Sequence, residues 1–118
     1  MGSPAGKYQI VADQGATFSR VLTWKNSTNT AINLTGYTAR MHIRQEYEST
    51  SIVLTLTTEN GRISLGGAAG TVTLTIDATT MAAVTAKTYV YDLELVSGAG
   101  VVTRLVMGTF TVRREVTR

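Results

Sequence analysis

From Tyr37 to Arg44 the chain alternates without a break, with Tyr37, Ala39, Met41 and Ile43 on one side and Thr38, Arg40, His42 and Arg44 on the other. Period-two alternation is the pattern of a strand with one face buried. Such a face must find an apolar partner, and other stretches offer one. In Thr71–Ile76, Val72, Leu74 and Ile76 point inward between threonines; in Thr88–Val96, Tyr89, Tyr91, Leu93 and Leu95 oppose Val90, Asp92, Glu94 and Val96; Ile52, Leu54 and Leu56 form a third, shorter series. The chain is therefore read as strands that cover one another.

The remaining segments fit between these strands. Residues 7–11 form a candidate first strand with Tyr8 and Ile10 on one face, followed by a turn at Asp13-Gln14-Gly15. Residues 17–24 form a second strand, in which Arg20 interrupts the parity of Phe18, Leu22 and Trp24; this predicts an edge, a bulge or a snorkelling stem. The polar loop 25–31 leads to the turn at Thr35-Gly36, and its Asn-x-Ser/Thr sequon, like the one at Asn33, matches by composition only. Glu59-Asn60-Gly61 has the chemistry of a tight hairpin turn. The glycine cluster 66–70 reads as a turn, because a phosphate cradle needs a following helix. Asp77 stands where a helix N-cap would be, ahead of Met81 and Val84, and predicts one or two helical turns crossing between sheets. Ser97-Gly98-Ala99-Gly100 closes a hairpin into residues 101–112, apolar on both parities, which predicts a bulge near Gly108 or burial on both faces.

A chain of 118 residues and 12.6 kDa allows one domain with one modest core. Threonine is the commonest residue and β-formers outnumber helix-formers. With seven or eight strands at this length, the expected fold is all-β: an immunoglobulin-like antiparallel β-sandwich with one short helical turn, ahead of a closed barrel. The sandwich is expected over residues 7–113, between a flexible leader, 1–6, and a basic tail, 114–118. The absence of cysteine excludes disulfides and thiolate metal sites, so stability must come from burial. No apolar run reaches the roughly 18 residues of a membrane span, and the N-terminus lacks the apolar core of a signal peptide, so a soluble chain outside that secretory route is expected. Net charge is +3, with much of the excess in Arg113, Arg114 and Arg118 around Glu115. A basic tail is not the basic stripe of a nucleic-acid-binding face, and nucleic acid is not expected as a partner.

The inventory for catalysis is thin. His42, the only histidine, falls on the polar face between Arg40 and Arg44, and strand geometry is not expected to set a carboxylate beside it. One His and no Cys give no metal site and no cofactor is expected. Asp92 and Glu94 share a strand face, where glycosidase carboxylates would have to flank a cleft. The aromatics fall mostly on inward faces, with Tyr47 in the polar loop 45–51 as the exception. Arg40, His42 and Arg44 form a positive strip about 14 Å long that could dock an acidic partner.

Taken in order, Asp13-Gln14-Gly15-Ala16-Thr17-Phe18, Leu22-Thr23-Trp24, Asn33-Leu34-Thr35-Gly36-Tyr37-Thr38-Ala39-Arg40-Met41, Tyr91-Asp92-Leu93-Glu94-Leu95 and Gly108-Thr109-Phe110-Thr111-Val112 resemble a family of small structural proteins of tailed bacteriophages and prophages. The resemblance covers nearly the whole chain. It is similar to the immunoglobulin-like module at the N-terminus of siphophage upper baseplate proteins, but without the C-terminal fibre region that some relatives carry. The resemblance implies a non-enzymatic virion component of the tail, baseplate or fibre attachment, assembled in the cytoplasm of the infected bacterium. Its partners would be other phage virion proteins and further copies of itself, with no membrane partner. Alternatives are a capsid decoration (cement) protein and a carbohydrate-binding module contacting the host surface. The expected partner contacts are Arg40, His42, Arg44, Tyr47, Arg113, Arg114 and Arg118, with the leader and tail able to add strands to neighbours.

Overall fold

A computed structural model describes residues 6–116. The alternating stretch forms β4 (Thr38–Arg44), and its inward residues Ala39, Met41 and Ile43 are buried. Its partner on one side is β8 (Thr88–Val96), antiparallel, with Met41 opposite Leu93 and Ile43 opposite Tyr91. On the other side lies the short edge strand β5 (Leu54–Thr57). The tight turn after β8 returns the chain as β9 (Val102–Arg113), which pairs along the whole of β8. Strands β1 (Gly6–Lys7) and β2 (Ile10–Asp13) run along the far edge of β9 and complete a six-stranded sheet.

The second sheet has three strands in the order β3 (Phe18–Thr23), β7 (Thr71–Ile76) and β6 (Ile63–Leu65). The inward rows of the two sheets meet in one core that includes Ile10, Phe18, Met41, Leu56, Val72, Leu74, Leu93 and Phe110. Burying each large aliphatic or aromatic side chain contributes about 1.5–3 kcal/mol, the main source of stability here. The Phe18 and Phe110 rings meet edge to face at 5.5 Å across the sheets. Trp24 and Tyr37 make a second such contact at 6.2 Å at one end of the sandwich.

As Asp77 predicts, a five-residue helix, α1 (Ala78–Ala82), links β7 to β8 and so crosses between the sheets. The Asp77 carboxylate accepts from the Thr80 backbone N–H at 3.1 Å and from its hydroxyl at 2.6 Å, while Met81 and Val84 close over the core. Beyond the helix the Tyr89 hydroxyl donates to the Thr85 carbonyl at 2.6 Å. A tyrosine at the start of a strand, bonded back to the preceding corner, is the tyrosine corner of immunoglobulin-like sandwiches. Together with the two-sheet strand order it gives the fold its class.

Five expectations change in detail. The first strand splits, because the Tyr8 carbonyl leaves the ladder to accept from the Tyr91 hydroxyl at 2.7 Å. Both pieces pair with β9 in parallel, so the sandwich is not purely antiparallel, and nine strands are assigned among the described residues. Gly6 already belongs to β1 instead of the leader. Glu59-Asn60-Gly61 joins strands of different sheets and is a corner instead of a hairpin. Asn60 Oδ1 accepts from the N–H groups of Thr57 and Arg62, and Asn60 Nδ2 donates to the Thr55 carbonyl, each at 3.0 Å.

The irregularity predicted in the last strand is a bulge at Leu105. Glu94 faces Arg104 while Leu93 faces Val106, so Leu105 is the extra residue, and the inward parity of β9 changes there. Gly108 has a separate reason to be glycine, since a Cβ at that position would run into the Tyr8 carbonyl oxygen. Arg20 is the snorkelling stem on an edge strand. It reaches over the Phe18 ring and donates to the Tyr8 hydroxyl at 2.7 Å. The asparagines of both sequons fold back on their own loops, Asn26 accepting from the Thr28 N–H at 2.9 Å and Asn33 from the Thr35 N–H at 3.0 Å.

Candidate functional site

The outward rows of β4, β8 and β9 lie side by side on the open face of the six-stranded sheet, and register decides which groups meet. Arg40 stands opposite Glu94, and Glu94 opposite Arg104; His42 stands opposite Asp92, and Asp92 opposite Met107. Arg40 Nε reaches Glu94 Oε1 at 2.9 Å, and Arg104 Nε reaches Asp92 Oδ2 at 3.3 Å. The row Arg40, His42, Arg44 is thus not a free positive strip. It is one half of a mixed-charge lattice whose acidic half comes from β8. Both ion pairs are solvent-facing, so each adds at most about 1 kcal/mol, and the groups remain available to exchange partners.

His42 does have a carboxylate across the strand, contrary to the sequence expectation, because the β4–β8 register places Asp92 there. That carboxylate is drawn to Arg104. The imidazole Nδ1 instead lies 3.5 Å from an Arg44 guanidinium nitrogen. Arg44 also donates to the Ser49 carbonyl at 3.0 Å, which ties the loop after β4 down onto the sheet. Tyr47, carried by that loop, is 60% exposed.

Tyr47 stands between two hollows. One, of about 220 Å³, is lined by Arg40, His42, Arg44, Asp92 and Glu94, with Tyr47 as its wall. The other, of about 450 Å³, lies toward β1 and is lined by Lys7, Tyr8, Gln9, Met107 and Thr109, again with Tyr47. An exposed aromatic between two depressions, ringed by charges of both signs, offers shape, apolar area and hydrogen-bonding groups of either polarity at once.

The other expected contact residues lie elsewhere. Arg113 is at the end of β9, where its Nε meets Asp13 Oδ1 at 2.8 Å, and that hydrogen bond holds the Asp13 carboxyl below its ordinary range. Arg114 is exposed just past the strand, and Arg118 lies outside the described residues. The structure therefore gathers Arg40, His42, Arg44 and Tyr47 in one place and leaves Arg113 and Arg114 apart. Sequence reasoning missed Arg104, Met107 and Lys7, which complete the face. Their parity was hidden by the bulge at Leu105 and by the break at Tyr8.

Among the described residues, no three His, Cys, Asp or Glu side chains come together as a metal site would need. Asp92 and Glu94 each pair with an arginine on an open sheet face. Trp24 is half-buried against Tyr37, so the aromatic presented to solvent at this face is Tyr47. No helix among the described residues is long and apolar enough to cross a membrane. Neither a family model nor a curated protein matches the sequence.

Proposed function

We propose that this chain is a non-enzymatic structural module of a tailed-bacteriophage virion, attached at the tail or baseplate through protein–protein contacts made by the outer face of its six-stranded sheet. The reading is supported by the ordered motifs that resemble phage structural proteins, and by where those motifs lie. Phe18 packs on Phe110, Trp24 packs on Tyr37, Met41 stands opposite Leu93, and Tyr91 stands opposite Gly108. The resembling segments thus form one connected framework, which is what a shared fold would keep; the functional step from that framework is by analogy.

The single observation that favours docking is the surface around Tyr47. Contact surfaces between proteins combine an aromatic or arginine anchor with a polar rim. Tyr47 and Arg44 would be the anchors here, with the Arg40–Glu94 and Arg104–Asp92 pairs as the rim. The experiment is mass spectrometry and particle reconstruction on purified phage particles from cells carrying the gene. Several copies of the chain at the tail or baseplate are expected. Density on the capsid lattice would assign it to decoration instead, and particles lacking the chain would overturn the reading.

A further inference from the structure

β3 is an outer strand of the three-stranded sheet. β7 lies on one side of it, and among the described residues no strand pairs with the other side. The phase of the β3–β7 ladder can be read from its end, where the Trp24 N–H donates to the Gly70 carbonyl at 2.8 Å and extends the same register. Backbone groups of successive residues in a strand point to opposite sides. Phe18, Arg20 and Leu22 therefore direct theirs at β7, and Ser19, Val21 and Thr23 direct theirs at the open edge. The far side of β7 agrees with this phase, since the Thr75 N–H donates to the Arg62 carbonyl at 2.8 Å.

Exposed edges are normally blunted by lysine, proline, a bulge or an inward-pointing charge. β3 carries only the last of these: Arg20 lies inward over the Phe18 ring and donates to the Tyr8 hydroxyl at 2.7 Å and to the Val11 carbonyl at 3.4 Å, which leaves the outward row of β3 without a charge. Ser19, Val21 and Thr23 form an uncharged outer row, and Val21 at its centre is 56% exposed. Beyond them the outer row of β7 continues as Thr71, Thr73 and Thr75.

We propose that β3 pairs with β3 of a second copy of this chain, antiparallel about a two-fold axis at Val21, joining two three-stranded sheets into one of six strands. The free groups select this register. With Val21 opposite its own copy, Ser19 faces Thr23 and every outward-directed backbone group of the row gains a partner. Centring on Arg20 would set two guanidinium side chains against each other, and centring on Leu22 would set Ser19 against Lys25, which already bridges to Ala31. The pattern Ser-x-Val-x-Thr reads alike in both directions in size and β-propensity, as an isologous contact requires. Six-residue edges are short, so the pairing is reversible and falls below the roughly 1,200 Å² of a stable interface. This contact lies on the sheet opposite the Tyr47 face and does not rest on the virion reading.

The chain has no cysteine, so Val21→Cys introduces a single thiol at an exposed position. Opposed Cα atoms of a hydrogen-bonded antiparallel pair lie about 5.5 Å apart, within disulfide range. Under mild oxidation V21C is expected to form covalent dimers at least about tenfold faster than V101C, whose thiol would sit on an exposed hairpin tip outside any proposed contact. In sedimentation equilibrium the unmodified chain is expected to rise from monomer mass with concentration, and Val21→Lys to remain monomeric. Equal cross-linking rates for the two cysteine variants would overturn the pairing, as would an unmodified chain that stays at monomer mass up to about 1 mM.

Discussion

The Tyr91 hydroxyl donates to the Tyr8 carbonyl at 2.7 Å from a nearly buried position, and burial pushes the phenol well above its ordinary pKa of 10.0. A phenolate cannot donate that bond. The stabilisation is therefore full below pH 10.0 and is lost as the pH rises through the elevated folded value. Tyr91→Phe should cost about 1–2 kcal/mol in urea unfolding at neutral pH, because it leaves the Tyr8 carbonyl without its donor. The decline in stability above pH 10 should also be shallower in the variant, with burial of Tyr89 leaving a smaller residual slope. Equal alkaline slopes would contradict this. Parity placed Tyr91 inward from sequence alone, but its acceptor is 83 residues away and no local pattern encodes it. A still longer separation, from Tyr8, hid the need for glycine at 108, which the sequence links to a bulge.

At the level of elements, the short helix was legible because its cap is a local signal. Asp77 bonds only three residues ahead, so side-chain chemistry and spacing are both visible in the sequence. The Thr80 hydroxyl and N–H hold the Asp77 carboxyl below the ordinary 3.8, and Arg113 does the same for Asp13. With the folded values depressed, these contributions are present above pH 3.8 and are lost as the pH falls through the folded values. The thermal midpoint should thus hold steady from neutral down to about pH 5 and then fall in acid. Asp77→Asn keeps a capping side chain without the titrating charge. Combined with Asp13→Asn it should flatten the acid limb, and an unchanged slope would show that other carboxylates dominate. The Asn60 corner was misread for a related reason. Asn-Gly fixes a tight turn, but whether the next strand returns to the same sheet depends on which apolar row it must cover.

Across the whole molecule, the class of fold was legible because alternation in Tyr37 to Arg44, Thr71–Ile76 and Thr88–Val96 says which face of each strand is buried. Which outward residue meets which is a matter of register. Arg40, His42 and Arg44 read alone are a positive strip; set beside β8 they become half of a lattice with Asp92 and Glu94. The two sheets present contrasting outer faces, one charged and hollowed around Tyr47, the other rich in serine, threonine and valine along β3. Such a module can hold a partner on the charged face and pair with a copy of itself along the β3 edge of the other sheet. The most direct test of the docking face is incorporation of Arg44→Ala/Tyr47→Ala into particles, scored against the unmodified chain. Both side chains lie outside the core, so the variant should fold with little change in stability while its incorporation falls by about tenfold or more. A folded variant that enters particles at the normal level would contradict the assignment of this face.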